Sequence, residues 1–384
     1  MTRFLVFGGW FGSANLGDDA ILIGLRRLLT KCIPGVEIVA LSTDPVYTKR
    51  ICGVEAIPLR SPKELLNPSK WWEVNAYKRI FSEVDACIMT GGTPIYDYGH
   101  LSRTIHLTLP KLLGKKLICF GIGAKPIHST TGRLLIKNLL RQANAISTRD
   151  HPSKIVLKDL GLDKEIMVTG DSALFLEPEP ASERILESST VDIGTPVFAV
   201  CPRALSQDYK RHYHSPLSED IIAQIRRSVA RTADRLSETG LHVVFIPLHR
   251  VPPDDDLMEV ARIRALMREP SKVVTSISTP GELMGVLGRM ELVLGLRLHA
   301  LILGAAHGIP VIGIDYDPKI RGFMELAGIP EYLCQLEIDS ESLSERAMSA
   351  LDEKQALKDR LTSSCQKIRS RIKREAARVA SILG

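Results

Sequence analysis

The sequence predicts an α/β protein made of two parallel-sheet domains facing each other across a cleft. Three observations carry that prediction. Short apolar runs of strand length alternate with helical patterns along most of the 384 residues, as β–α–β units require. The alternation breaks once, in the proline- and glutamate-rich stretch LEPEPASE (Leu176–Glu183), and then restarts. Glycines and polar residues also gather just after the strands, in GGWFGSANLGDD, TGGTP, GIGAKP, TGDSA, CPRALSQD, PLHRVPPDDD, GLRLH and DYDPK. Open parallel sheets bind ligands at those carboxyl ends.

The elements follow in order. Arg3–Phe7 reads as a strand, followed by a glycine-rich turn and a helix through AILIGLRRLLTKC. Strands follow at Glu37–Leu41, at Asp85–Thr90 (ending in GGTP) and at Lys116–Phe120 (ending in GIGAKP), then at Ala145–Ser147 and Ile166–Thr169. After the break come PVFAVCPR, a helix over Ser218–Thr239, HVVFIPLH, a helix over Asp256–Met267, KVVTS, ELVLGL, the helix HALILGAAHG, and PVIGIDYD. The expected division is a first domain over 1–176, a linker over 177–190, a second domain over 191–340 and a basic helical tail over 341–384.

Composition narrows the function classes. Hydrophobic residues make up 45% and charged residues 24%, ordinary values for a globular protein. Fifty basic against 44 acidic residues give a net charge of +6, too mild for a nucleic-acid binder, and no aromatic-plus-basic stripe is visible. The seven cysteines are scattered singly, which suggests neither a zinc site nor a disulfide framework and fits a reducing, cytoplasmic setting. No cofactor or metal is expected. The start, MTRFLVFGGW, enters a glycine loop too soon for a leader peptide, and no 18-residue stretch lacks charge, so no membrane span is expected.

The chemistry-bearing residues stand out against this frame. Arg297 and His299 lie in ELVLGLRLHALILGAAHGIPVIGI, the most apolar run of the chain, where a charge without a partner costs several kcal/mol. They open a helix, whose N-terminus carries partial positive charge; together they make an anion site, or else Arg297 staples two strands through Asp315 or Asp317. The first loop is neither GxGxxG nor a Walker loop. It places Asp18 and Asp19 in a helix's first turn, where they suit the helix dipole but repel phosphate, so this loop fits a hydroxyl-bearing substrate with Asp18 as a base. His249, Lys125, Lys319 and Arg321 reach strand ends and read equally well as loop or surface residues. Asp254–Asp256 reads as a helix N-cap. Trp71, Trp72, Tyr77 and Phe81, with Lys70, Lys78 and Arg79 beside them, read best as a core-facing helix, or as an acceptor platform or peripheral lipid contact.

FGGWFGSANLGDDAIL, TGGTPIYD and GLRLHALILGAAHGIPVIGIDYDPKIRGF together resemble the polysaccharide pyruvyl transferase family, in order and spacing, over residues 1 to about 330. The resemblance implies a GT-B-like pair of Rossmann-like domains, with the C-terminal helices of 341–384 crossing back to the first domain, and transfer of pyruvate from phosphoenolpyruvate, as a ketal, onto hydroxyls of a saccharide, free or lipid-linked, in cell-surface polysaccharide biosynthesis. It implies donor binding by Arg203 and by the segment of Arg297, Leu298 and His299; Lys319, just past a strand end, is a further candidate to screen phosphate. Ketal formation needs a proton donor, for which His299 is the candidate, and a base for the hydroxyls, for which Asp18 is the candidate. Acceptor binding falls to Asn15, Gly91, Gly92 and Thr93. The chain departs from the family pattern at GGT, where a triple glycine is usual, and at TRDHP, which lacks the usual aromatic. A nucleotide-sugar glycosyltransferase or epimerase, or a non-catalytic binding protein, are the alternatives on the same fold.

Overall fold

A computed structural model describes residues 2–61, 64, 69, 71–97, 100–192, 194–205, 217–251 and 255–383, with 71–74 and 100–103 described by backbone alone. The chain forms two compact units, Met1–Phe175 with Arg369–Gly384, and Leu176–Ile368.

The first unit holds β1 (Arg3–Phe7), β2 (Glu37–Ser42), β3 (Glu55–Pro58), β4 (Ala86–Met89), β5 (Lys116–Ile122), β6 (Ala145–Thr148) and β7 (Met167–Val168). Their order in the sheet is β3-β2-β1-β4-β5-β6-β7, and every pairing is parallel. Helices on the faces include α1 (Leu16–Cys32), α2 (Pro45–Cys52), α3 (Trp71–Glu83), α4 (His100–Leu112), α5 (Thr130–Leu140) and α6 (His151–Asp159). Strands covered on both faces are apolar throughout, which is why β1 and β4 are buried over nearly their whole length. The sequence reading missed β3. That strand is a half-exposed sheet edge ending in Pro58, and proline is tolerated there because no further strand needs its missing N–H.

One glycine inside α1 has a packing reason. A Cβ on Gly24 would lie 1.9 Å from the carbonyl oxygen of Ser172, so the helix presses its backbone onto the 3-10 turn Ser172–Phe175. Tyr77 and Phe81 of α3 belong to the core under the sheet, and the Tyr77 hydroxyl lies 2.8 Å from His106 Nε2. The core-facing reading therefore holds for these two; Lys70 and the side chains of Trp71 and Trp72 fall outside the described residues.

The second unit holds β8 (Val197–Cys201), β9 (His242–Phe245), β10 (Lys272–Val273), β11 (Leu292–Gly295), β12 (Val311–Ile314) and β13 (Leu333–Cys334). The order is β10-β9-β8-β11-β12-β13, again all parallel. Its helices are α7 (Ser182–Ser188), α8 (Glu219–Glu238), α9 (Asp256–Arg264), α10 (Pro280–Leu287), α11 (Leu298–Ala306), α12 (Pro318–Leu326) and α13 (Ser340–Asp352). The two-residue strand β13 was also missed, being too short to show a period. The stretch read as a linker carries α7 and lies in the second unit, where Glu179 donates its N–H to Gly281 O at 3.0 Å. Helix α14 (Lys354–Leu383) runs on from the second unit, and its residues from Arg369 onward group with the first. There Arg369 Nε donates to Leu174 O at 2.9 Å.

Candidate functional site

Each sheet reverses its strand order once. In the second unit the chain starts at β8, steps outward to β9 and β10, then returns to β11 on the other side. The loops after β8 and β11 diverge from that switch point and leave a crevice, the usual ligand position in such sheets. Arg203 follows β8, and Arg297 follows β11. The first unit repeats the device with β1 and β4, whose following loops carry Asn15 and Asp18, and Gly91, Gly92 and Thr93.

At the β8–β11 switch point the organising residue is Asp256, fully buried at the start of α9. Its carboxylate accepts from Arg297 Nε at 2.9 Å and Nη2 at 2.5 Å. It also accepts backbone N–H groups of Ala204 at 3.3 Å, Leu248 at 3.2 Å and His249 at 3.0 Å. One carboxylate therefore ties together the loops after β8, β9 and β11. The backbone of the β11 loop is pinned too, since Leu296 donates to Cys201 O at 3.0 Å. Arg297 sits at the N-cap position of α11, only 8% exposed, with His299 half-buried in the first turn.

This corrects the expected staple. Asp315 takes Arg321, whose Nε donates to it at 2.9 Å, and Asp317 caps α12 through Lys319 N at 3.1 Å. In the acidic run read as a cap, Asp255 is the N-cap of α9 and Asp256 is the counter-ion of Arg297; Asp254 lies outside the described residues. The sequence signal was three consecutive aspartates, of which only one can cap.

Two further predicted cations converge on the same end of the sheet. Tyr316, buried after β12, has the Arg203 guanidinium 5.8 Å and the Lys319 ammonium 5.9 Å from its ring centroid, both within cation–π range. Arg203 is itself buried. Thus Arg203 and Lys319, from the loops after β8 and β12, share the Tyr316 ring, Lys319 with Asp317 at 3.8 Å, while Arg297 from the loop after β11 is held by Asp256, and a helix N-terminus adds its partial positive charge.

At the β1–β4 switch point Asp18 is held from two sides. It accepts Gly92 N at 2.9 Å and Asn15 Nδ2 at 2.9 Å. Asn15 doubles as the N-cap of α1, accepting Gly17 N at 3.2 Å. Gly91 has φ +113°, and a Cβ there would meet Gly9 Cα at 2.5 Å; the two glycine loops touch, and this places Gly92 against Asp18. Thr93, in the same loop, is half-buried.

The adjacent acid is different. Asp19 is fully buried, and desolvation, reinforced by the charge of Asp18, pushes its pKa up to about 7. The sequence did not separate these two acids, whose side chains leave the helix in different directions. Nor did it single out two other residues of this sheet end. Arg149 after β6 is buried, with Asp150 at 3.1 Å and Asp171 at 3.7 Å. Trp10, in the loop after β1, is 54% exposed, and an aromatic set in a glycine loop was its available signal.

Two doubly wound units with charged loops at their switch points define a GT-B-like α/β protein. The glycosyltransferase from Rickettsia africae aligns over 100% of this chain and 98% of its own, with TM-score 0.66 and 12% identity. Anabaena HepE, solved in complex with UDP and glucose, aligns over 100% and 99% with TM-score 0.62 and 12% identity. The UDP-GlcNAc 2-epimerase of Methanocaldococcus jannaschii aligns over 96% and 99% with TM-score 0.60 and 12% identity. At such identity these likenesses establish the fold alone. The family is set by sequence: residues 15–318 match the polysaccharide pyruvyl transferase model, and the chain belongs to that family. The amylovoran biosynthesis protein AmsJ of Erwinia amylovora is 25% identical over 264 residues, which cover 65% of this chain and 61% of that protein. The match thus spans less than two thirds of that relative. Among the described residues no helix is long and apolar enough to cross a membrane.

Proposed function

We propose that this protein moves pyruvate from phosphoenolpyruvate onto two hydroxyls of a saccharide as a ketal, releasing phosphate, at the cytoplasmic stage of cell-surface polysaccharide biosynthesis. The observation that carries the reading is the gathering of Arg203, Arg297 and Lys319 at one switch point of a chain of this family. A small, strongly anionic donor fits such a site: guanidinium groups take carboxylate and phosphate by paired hydrogen bonds, and the α11 N-terminus at Leu298 adds its dipole. Asp256, fully buried, holds Arg297 in place.

The chemistry assigns the other roles. His299, as imidazolium, gives a proton to the methylene carbon of the donor, which becomes the methyl group, while a sugar hydroxyl adds to the neighbouring carbon. A second hydroxyl then forms a bond to that same carbon as its bond to the phosphate oxygen breaks, and phosphate leaves with the electron pair. Asp18 is given the role of the base that takes the two hydroxyl protons in turn; one leaves on the released phosphate and the other restores the imidazolium. Asn15 and Gly92 orient that carboxylate through the hydrogen bonds described above, while Gly91 and Thr93 shape the acceptor loop. Trp10 offers an exposed ring for the apolar face of a sugar. No cofactor takes part in this scheme.

Thermal unfolding with phosphoenolpyruvate, UDP and GDP tests it, because a ligand bound by the folded state raises the midpoint. The expected result is a rise with phosphoenolpyruvate that Arg297→Ala removes. A rise with UDP or GDP alone overturns the reading in favour of a nucleotide-sugar enzyme.

A further inference from the structure

Helix α8 carries a second concentration of positive charge, distinct from the switch-point loops. One face anchors the helix: Gln224 donates to Glu337 O at 2.6 Å, Ser228 to Ile338 O at 2.8 Å, and the hydroxyls of Thr232 and Ser344 lie 3.0 Å apart. Another face presents Arg227, Arg231 and Arg235, all exposed. These follow at i, i+4 and i+8, so they form a row about 12 Å long. With Arg268, Leu266, Asp234 and Glu238 they line a groove of about 450 Å³.

The arginines around this groove fall into two kinds. Some have structural partners: Arg226 donates to Glu259 at 2.7 and 2.8 Å, Arg262 to Glu259 at 3.3 Å, and Arg264 to Ser271 at 3.0 Å. Among the described residues no ion pair engages Arg227, Arg231, Arg235 or Arg268 through its side chain. The Asp234 carboxylate accepts the backbone N–H groups of Arg268 and Glu269 at 2.9–3.1 Å, and with Glu238 it sets two negative charges against the four arginines of the groove, leaving a net positive lining. Like charges at i and i+4 destabilise a helix, so a solvated face would favour acids between them. Here the acids of the groove, Asp234 and Glu238, match only two of its four arginines.

We infer that this groove docks the protein on a membrane surface bearing anionic lipid, the guanidinium groups taking headgroup phosphates. Phosphate is the ligand chemistry that four guanidinium forks suit. The lipid source is favoured over a soluble one by the layout. The cations form a row along a helix face instead of closing around a single centre, and Leu266, 46% exposed, lines the groove beside them. A cationic row with an apolar neighbour is the arrangement that suits a headgroup layer. The inference stands independently of the proposed pyruvyl transfer.

Co-sedimentation with vesicles tests it, using phosphatidylcholine alone and phosphatidylcholine containing phosphatidylglycerol, at low and high salt. The expected result is binding to the anionic vesicles only, weakened by salt. Removing two arginines in Arg231→Ser with Arg235→Ser should lower the partition constant roughly thirtyfold, each removal leaving about one fifth of the affinity. The control, Arg141→Ser with Arg184→Ser, removes equal charge from exposed positions elsewhere and should bind like the wild type. Equal binding by both double variants overturns the inference, as does no binding to anionic vesicles. A thermal shift with inorganic phosphate that only the Arg231/Arg235 variant loses, without vesicle binding, also overturns it and makes the groove a soluble-anion site.

Discussion

Asp256→Asn is the most informative single change, because one buried carboxylate joins three loops of the second unit. Asparagine can keep its oxygen toward Leu248 N and His249 N, but its amide NH₂ then faces Ala204 N and the Arg297 guanidinium, donor against donor. Taking the charge from one side of a buried ion pair costs about 3–5 kcal/mol. For a unit of this size each kcal/mol lowers the unfolding midpoint by roughly 2–4 °C, so the loss should be about 6–20 °C. Arg297→Met leaves Asp256 with its three backbone donors and should be milder. Calorimetry on both single variants and the double then gives the coupling. The double variant should lose much less than the sum of the singles, since neither ion is left facing the other's vacancy. Additivity within about 0.5 kcal/mol would mean that the two side chains do not depend on one another, and the organising role given to Asp256 would be wrong.

Three other outcomes follow. Asp19 is protonated in the folded state up to about pH 7, whereas the unfolded chain releases that proton near pH 4, so its contribution to stability falls as pH rises through that window. Asp19→Asn should abolish that slope and unfold at a higher temperature than wild type at pH 8; parallel curves from pH 4 to 8 would count against it. Gly91→Ala meets both a positive φ and Gly9 Cα at 2.5 Å, whereas Gly114→Ala at φ +67° has open space around it. Urea titration should show the first losing more stability than the second, by about 1–3 kcal/mol. His299→Gln should cut turnover by about 10²–10⁴-fold while keeping the thermal shift with phosphoenolpyruvate; a lost shift would make His299 a binding residue.

Much of the fold was legible because doubly covered strands write themselves as apolar runs. β1, β4, β5, β8, β11 and β12 were all visible for that reason. The edge strands β3 and β13 were not: β3 is half-exposed and carries Pro58, and β13 has two residues. The candidate site was legible where a residue type stands out locally, as Arg297 and His299 do in an apolar run and Asp18 does in a glycine loop. Its supporting contacts were not. Asp256 lies 41 residues before Arg297, and within Asp254–Asp256 nothing local distinguishes the capping residue from the one turned into the core. The difference between Asp18 and its buried neighbour Asp19 likewise depends on the packing of α1, which a run of two acids does not express.

The central claim is pyruvyl transfer, and the most direct measurement is of its product. The protein is incubated with phosphoenolpyruvate and a panel of saccharides bearing free hydroxyl pairs, and the products are analysed by NMR for the methyl group of a pyruvate ketal, alongside phosphate release. The account predicts a new ketal methyl signal and equimolar phosphate with at least one acceptor, both lost in His299→Gln and Arg297→Ala. Phosphate release without a ketal, or sugar transfer from a UDP- or GDP-sugar with no reaction of phosphoenolpyruvate, would contradict it.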